Sequence, residues 1–318
     1  MDTLIIEKKN EVYITVDCDP NVQREISEFF TFYVPGYKFM PAFRNRMWDG
    51  KIRLYSQKTK EIYFGLFPYI RAFAEERGYH IVAGKDVEIN NSVDKEIVKK
   101  FSNSLGQKFE ARDYQIDAIY HSLKFNRALL LSPTASGKSF IIYSLIRYYS
   151  HLVKDTPNNR ILLIVPTTSL VEQMYSDFQS YGWNVKKNCH RLYSGYSNQT
   201  DKKVLISTWQ SLYKLPKSYF EQFGCVFGDE AHLFKSKSLT EIMTKLIDCK
   251  YRIGLTGTLD GAHTHKLVLE GLFGAVNKVT STKKLIDKKQ LSNLAVRCLI
   301  LKHSEANAKM VANGKYQD

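Results

Sequence analysis

Between residues 128 and 258 the chain repeats one pattern: a short, unbroken apolar run, then a stretch with helical spacing. The runs are 128–132 (ALLLS), 161–166 (ILLIVP), 204–208 (VLIST), 225–230 (CVFGDE) and 251–258 (YRIGLTGT). Helices are expected over 138–151, 169–181 and roughly 238–248. A strand with one face in water alternates apolar and polar residues. A strand that is apolar throughout must be covered on both faces, and helical crossovers supply that cover. The expectation is therefore an α/β fold with a parallel sheet flanked by helices.

The first 107 residues follow different rules. Residues 3–17 alternate as one or two strands, with Leu4, Ile6, Val12, Ile14 and Val16 on one side. Asp19-Pro20 opens a helix that runs through EISEFFTF, with Asp19 as its cap, and Pro35-Gly36 ends it. Residues 36–50 form an aromatic, basic loop punctuated by glycine. A hairpin over 51–55 and 61–64, a helix over 68–77 closed by Gly78, and a strand over 79–82 complete a small α/β domain, 1–83. Residues 84–107 are polar and read as a linker around one helix, 93–105. One further strand is expected at 294–301 (LAVRCLIL).

The chemistry concentrates where the apolar runs end. Ser132-Pro-Thr-Ala-Ser-Gly-Lys138-Ser139 follows a predicted strand and opens a predicted helix, which is the context of a phosphate-binding loop. Thr134, Ala135, Ser136, Gly137, Lys138 and Ser139 would cradle the phosphates of ATP. Backbone N–H groups wrap the anion at the positive end of the following helix, and Gly137 permits close approach. Lys138 would neutralise the terminal phosphates, and the Ser139 hydroxyl would meet Mg²⁺. Ser132 stands where such loops usually begin with glycine. Val226-Phe-Gly-Asp229-Glu230-Ala-His232 ends another apolar run, with Asp229 91 residues beyond Lys138. Asp229 could hold Mg²⁺ through water, and Glu230 could orient or deprotonate an attacking water. Arg112 and Gln115, about 20 residues before the loop, suit the adenine edge, where a side-chain amide offers a paired donor and acceptor. Thr256 and Thr258 follow the next strand, where hydroxyls could relay the state of the phosphates.

Taken in order, RDYQ, SPTASGKS, VPTTSL, STWQSL, GDEAH and LTGT resemble the first RecA-like domain of superfamily 2 DEAH-type helicases over residues 108–280. Phe43-Arg44 followed by Trp48-Asp-Gly-Lys-Ile-Arg-Leu54 narrows the likeness to the phage UvsW type of recombination and fork helicase. That resemblance implies an ATP-dependent DNA helicase that remodels forks and branches, with strand annealing as a further activity. It assigns His232, Thr256 and Thr258 to coupling. It assigns Pro166 and Thr167, and Thr208, Trp209 and Gln210, to contacts with the nucleic-acid backbone, which suit a motor that ignores sequence. Trp209 serves equally well as a core residue.

Charge supports a polyanionic partner. The net charge is +14, and residues 108–318 hold 30 basic and 17 acidic side chains. The first 107 residues are nearly balanced, yet Lys38–Lys60 holds seven basic residues and one acid, Asp49. There Arg44, Arg46, Trp48, Lys51 and Arg53 sit among Tyr37, Phe39 and Phe43, a mixture suited to phosphate contacts and base stacking. The alternative is a solvated basic hairpin over a small core containing Phe39 and Trp48.

No run of 18 apolar residues suggests a membrane span. Five cysteines, an odd number without CxxC spacing, argue for reduced thiols and a cytoplasmic setting, the host cytoplasm if the chain is phage-encoded. Residues 281–318 are expected to be a linker and the start of a second RecA-like domain. The Q-x-x-G-R-x-x-R motif of such a domain is absent from these 318 residues. Because an arginine at the γ-phosphate is worth about 10³–10⁵ in rate, the expectation is a chain that binds ATP–Mg²⁺ but turns it over weakly without that domain, in cis or in trans. An RNA helicase, a non-catalytic annealing module and the translocating subunit of a restriction enzyme are the rival readings. No nuclease signature supports the last.

Overall fold

The computed structural model describes residues 2–233, 236–259, 263–292 and 297–299. Residues 1–282 form one compact unit, and residues 283–318 a second. The first begins with β1 (Thr3–Lys8), β2 (Tyr13–Asp17) and helix α1 (Pro20–Phe29), with the Asp19 carboxylate accepting from the Asn21 N–H at its start. β3 (Thr31–Tyr33), the short helix α2 (Pro41–Arg44) and β4 (Lys51–Arg53) follow. Then come β5 (Tyr55–Ser56), β6 (Glu61–Tyr63), α3 (Phe67–Arg77) and β7 (His80–Ala83). Five of these strands make a sheet in the order β5-β6-β2-β1-β7, while β3 and β4 form a separate ribbon.

Two expectations are corrected here. The helix ends at Phe29, because 31–33 is drawn off into pairing with 51–53, which the local spacing of EISEFFTF does not reveal. The expected hairpin is likewise split: 51–53 pairs with that ribbon, and only 55–56 pairs with 61–63.

The linker region carries α4 (Lys95–Asn103), and α5 (Asp113–Phe125) leads into the large sheet. Its strands are β8 (Arg127–Leu131), β9 (Arg160–Val165), β10 (Cys189–Leu192), β11 (Val204–Thr208), β12 (Phe223–Gly228), β13 (Tyr251–Thr256) and β14 (Val276–Lys278). All seven are parallel, in the order β10-β11-β9-β12-β13-β8-β14. Helices α6 (Lys138–Leu152), α7 (Thr168–Ser180), α8 (Val185–Asn188), α9 (Trp209–Leu212), α10 (Lys217–Phe220), α11 (Ser236–Lys245) and α12 (His263–Phe273) connect them. Of these, β10, β14, α8, α9, α10 and α12 are not among the elements expected from sequence. The strand expected at 294–301 lies outside the described residues except at 297–299, where no element is assigned. A short helix, α13 (Thr282–Asp287), stands at the start of the second unit.

One face of the large sheet packs under α5 and α6, with Ile141, Ile142, Leu145 and Ile146 fully buried. The other face shares a continuous core with the N-terminal sheet, to which Leu4, Ile14, Phe73, Val226, Leu269 and Phe273 all belong. Close approach is built in: a Cβ on Gly271 would fall 2.8 Å from the Tyr63 side chain, and one on Gly65 would strike the Glu270 carbonyl.

The join is electrostatic as well. Glu11, in the β1–β2 turn, takes a 2.6 Å ion pair from Arg127 at the start of β8, while Arg252 at the start of β13 donates to the Glu11 carbonyl at 3.0 Å. Arg252 is wholly buried and gives its remaining N–H groups to the carbonyls of Met243, Leu246 and Leu272. Burial pushes the Glu11 carboxyl up, but Arg127 and Lys8 outweigh it and hold it below its ordinary 4.5. Its contribution is thus present at neutral pH and lost as pH falls. Glu11→Ala strands the Arg127 charge in the interior and is expected to cost about 3–5 kcal/mol. Urea unfolding at pH 7 measures this, and a drop in stability below about 1 kcal/mol would show that the join does not depend on the pair.

Candidate nucleotide-binding site and nucleic-acid interface

Parallel strands deliver all their carboxyl ends to one edge, where open α/β sheets bind ligands. Three neighbours, β12, β13 and β8, deliver Asp229-Glu230, Thr256 and Ser132. Two more on the far side of β12, namely β9 and β11, deliver Pro166-Thr167 and Thr208-Trp209-Gln210. The edge therefore has a phosphate-loop half and a second half, meeting at β12.

Ala135 and Gly137 both have left-handed backbone, at φ 64° and 79°, the geometry that turns successive N–H groups toward an anion. A Cβ on Gly137 would lie 2.4 Å from the Gln115 amide nitrogen, so only glycine fits. Gln115 explains that closeness. It is buried, its Nε2 donates to the Ser136 carbonyl at 3.0 Å, and its Oε1 accepts from the Arg112 N–H at 2.9 Å. The Tyr114 hydroxyl reaches the same carbonyl at 3.1 Å and is itself met by Arg112 at 2.7 Å. The candidate adenine residues thus also brace the phosphate loop, and the Gln115 amide retains one donor and one acceptor site. Ser132 has a role that glycine could not fill, since its hydroxyl lies 2.7 Å from that of Ser136 across the base of the loop. Thr134 and Ala135 are exposed at the tip.

Lys138 leans back toward β12. Its ammonium is 2.9 Å from Glu230 Oε1 and 3.5 Å from the Ser132 carbonyl. Glu230 is reached by a left-handed turn at φ 47°, which costs about 1 kcal/mol or more for a residue with a side chain. That turn aims the carboxylate at Lys138, at the Gly257 N–H 3.5 Å away, and at His232 Nδ1, 3.4 Å away. His232 Nδ1 lies 2.5 Å from Thr256 Oγ1, whose proton goes to the Thr258 carbonyl at 2.8 Å. The imidazole must then be the donor to Thr256, so the turns after β12 and β13 are joined through one proton position.

Asp229 is 2% exposed, and its Oδ1 has no hydrogen-bond partner. Buried carboxylate oxygens are almost always satisfied. Mg²⁺ takes one or two carboxylates together with substrate phosphates, and an unpartnered oxygen near a phosphate loop fits that donor set. Ser139, the other expected Mg²⁺ ligand, is half-buried with its hydroxyl 2.9 Å from that of Tyr181.

On the second half of the edge, Thr167 is exposed and caps α7, while Pro166 and Thr208 are buried and Gln210 is exposed. Trp209 packs its partly buried ring against the core, the second of the two roles its sequence position allows. In the basic loop, Phe39 is 85% exposed, which removes it from the expected aromatic core. Tyr37 takes that place, stacked on Tyr33 and edge-on to Phe43. Trp48 is half-buried and donates to the Lys51 carbonyl at 2.9 Å; Lys51 sits 4.9 Å above the Tyr33 ring, and Arg53 pairs with Asp49. The Arg44 and Arg46 side chains are exposed, with no hydrogen-bond or ion-pair partner among the described residues. Met47 stands 80% exposed beside them. Sequence reasoning missed Tyr114, Tyr181 and Phe109, a half-exposed ring packed on Phe140 and Tyr181 near the loop. None was singled out by a motif's chemistry, so only their placement reveals them.

A phosphate loop, a DEAH turn and an LTGT turn on three adjacent strands of an all-parallel sheet define a superfamily 2 helicase motor domain. The ATP-dependent DNA helicase UvsW of Enterobacteria phage T4 is 32% identical over 317 residues, 96% of this chain. Two crystal structures of T4 UvsW superpose at TM-scores of 0.78 and 0.79, covering 87% and 88% of this chain and 99% and 57% of theirs. The chain belongs to the UvsW family of superfamily 2 helicases. The family described as DNA helicase UvsW, N-terminal, matches residues 6–84, and that described as Type III restriction enzyme, res subunit, matches 108–261. The DNA 3'-5' translocase XPB2 of Sulfurisphaera tokodaii is 28% identical over 171 residues, 52% of this chain and 35% of its own length. This chain spans 62% of the length of the T4 protein. Among the described residues, no helix is long and apolar enough to cross a membrane.

Burial first, and then Glu230, push the Asp229 carboxyl from 3.8 up to about 6, against the pull of Lys138. Ionising it therefore costs the fold nothing below its unfolded value and the full amount above about 6. Asp229→Asn should raise the unfolding temperature at pH 8 in metal-free buffer, and the gain should shrink as pH falls toward 4. Thermal unfolding at both pH values checks this, and an unchanged or lower temperature at pH 8 would mean the carboxylate is already compensated.

Proposed function

We propose that this chain is the ATP-binding front half of an ATP-dependent DNA helicase that remodels forked or branched DNA in recombination, repair and replication. The observation that carries this reading is the divided sheet edge, with Lys138, Glu230 and the unpartnered Asp229 oxygen on one half and Thr167 and Gln210 on the other. The likeness to the T4 helicase supports DNA over RNA. In this reading residues 1–83 bind substrate, 84–107 link, 108–280 bind ATP, and 281–318 lead into a second RecA-like domain. That domain, in cis or in trans, completes the site. The setting is cytoplasmic.

Thr134, Ala135, Ser136 and Gly137 present their backbone to the phosphates, and Lys138 neutralises them. Arg112, Gln115 and the exposed face of Phe109 lie on the adenine side. Ser139 and Asp229 hold Mg²⁺, which when bound screens the phosphate charge and polarises the phosphoryl group. Glu230 orients or deprotonates the attacking water. His232, Thr256 and Thr258 pass the state of the site along the edge through the proton shared at Thr256. Of the residues expected to track a phosphodiester backbone, the exposed Thr167 and Gln210 make the contact, over the buried Pro166 and Thr208 and the core-packed Trp209. In the N-terminal domain Arg44 and Arg46 are free for DNA phosphates, with Lys51, Arg53 and Trp48 shaping the loop that presents them.

Three measurements test the reading. Lys138→Ala should weaken ATP–Mg²⁺ binding about 10- to 100-fold, the worth of a charge-assisted contact. Wild-type turnover on forked DNA should stay weak until the second RecA-like domain is supplied; strong turnover without it would refute the half-motor reading. Arg44→Ala with Arg46→Ala should lower the slope of log affinity for forked DNA against log salt by about 2, one for each phosphate that is no longer neutralised. An unchanged slope would remove this loop from the DNA path.

A further inference from the structure

The Ser139 hydroxyl finds its partners outside the phosphate loop. Its Oγ lies 2.9 Å from the Tyr181 hydroxyl, and the Asp177 carboxyl is close enough that the same hydroxyl pulls it down against the burial that raises it. Asp177 lies on α7 and Tyr181 directly follows it. The Tyr181 ring is wedged edge-on against Phe140 and tilted against Tyr143, with ring centres 5.7 Å and 5.1 Å away. Its N–H donates to the Asp177 carbonyl at 3.0 Å, which fixes the two residues to one another.

The other end of α7 reaches the candidate DNA contact. Thr167 is the N-cap, its Oγ1 accepting from the Leu170 N–H at 3.3 Å, and it is exposed at the carboxyl end of β9. Between the ends, Val171, Met174 and Phe178 are buried at helical spacing. The 13 residues of α7 span about 20 Å at 1.5 Å per residue. A helix gripped along one face moves as a unit, so a displacement at Thr167 is felt at Asp177 and Tyr181.

The hydroxyl chemistry says what that displacement would change. A serine that ligates Mg²⁺ gives the metal a lone pair, and its single proton must go to another acceptor. The Tyr181 oxygen is the acceptor at hydrogen-bond distance, with the Asp177 carboxylate nearby. Outer groups of this kind orient the ligand and tune the metal.

We propose that Tyr181 and Asp177 are positioning residues for the Ser139 hydroxyl, and that α7 through them makes Mg²⁺–nucleotide binding respond to DNA seated at Thr167. This rests on the ATP- and DNA-binding reading above. By linkage the response is reciprocal, so nucleotide affinity alone can report it.

The experiment titrates the full chain with a fluorescent ADP analogue, in Mg²⁺ or in EDTA, with and without forked DNA. Tyr181→Phe keeps the ring and deletes the hydroxyl, and Asp177→Asn is its counterpart on the helix. In the wild type, DNA should shift the Mg²⁺-dependent affinity about fivefold or more, within the usual range of coupling. Tyr181→Phe should raise the Mg²⁺ requirement about tenfold or more and bring the DNA effect close to none. Its affinity in EDTA should stay unchanged, and Asp177→Asn should follow the same pattern. A Tyr181→Phe protein that keeps the wild-type Mg²⁺ requirement and DNA response overturns the proposal. So does equal weakening in Mg²⁺ and EDTA, which marks a purely structural role. A wild type that binds Mg²⁺–ADP and DNA independently overturns the link along α7 alone. A wild type that binds no nucleotide removes the functional reading beneath it.

Discussion

A parallel sheet returns the chain to the same edge after every crossover, and the rest of this structure depends on that geometric constraint. Each strand must be followed by a helix before the next can be laid down in the same direction. The residues between strand and helix therefore gather at one rim, with helix N-termini pointing toward it. Lys138 and Glu230 lie on different crossovers, far apart in sequence, and the sheet order brings their charged atoms to 2.9 Å. The same order leaves β9 and β11 to carry Thr167 and Gln210 beside, and not within, the phosphate half.

The opposite rim of the sheet is where the N-terminal domain is anchored. Arg127 and Arg252 begin two of the strands whose far ends carry Ser132 and Thr256, and both grip Glu11. Buried charges of this kind add little net stability over an apolar alternative, but removing one partner is costly. With the shared core across Phe73 and Phe273, they make the N-terminal sheet and the large sheet a single packed body. The basic loop at Arg44 and Arg46 is accordingly carried by the same body as the phosphate loop.

Three departures from ordinary stereochemistry and hydrogen bonding fall at the phosphate half. Ala135 and Glu230 hold left-handed backbone, and Asp229 keeps an oxygen without a partner. Each is a local cost, and each lies where the proposed nucleotide and Mg²⁺ would sit. Ser132 is the counterexample to reading motifs by rule. It breaks the usual glycine pattern, yet its contact with Ser136 gives it a structural purpose.

By itself the sequence determined the class of fold and which polar side chains share one sheet edge. Unbroken apolar runs admit only a doubly covered sheet, and Lys138, Ser139, Asp229 and Glu230 sit at strand ends that such a sheet must align. It also identified the basic loop through its local charge excess. Tertiary structure decided which strands are neighbours, because order within a parallel sheet leaves no local mark on any strand. It drew 31–33 out of a helix and into a ribbon, since pairing with 51–53 outweighs local helical preference. It exposed Phe39 and put Tyr37 beneath the loop, because apolarity alone does not say which of two rings finds a neighbour. It also brought the Tyr181 hydroxyl to that of Ser139, a meeting of residues about 40 positions apart that no motif encodes.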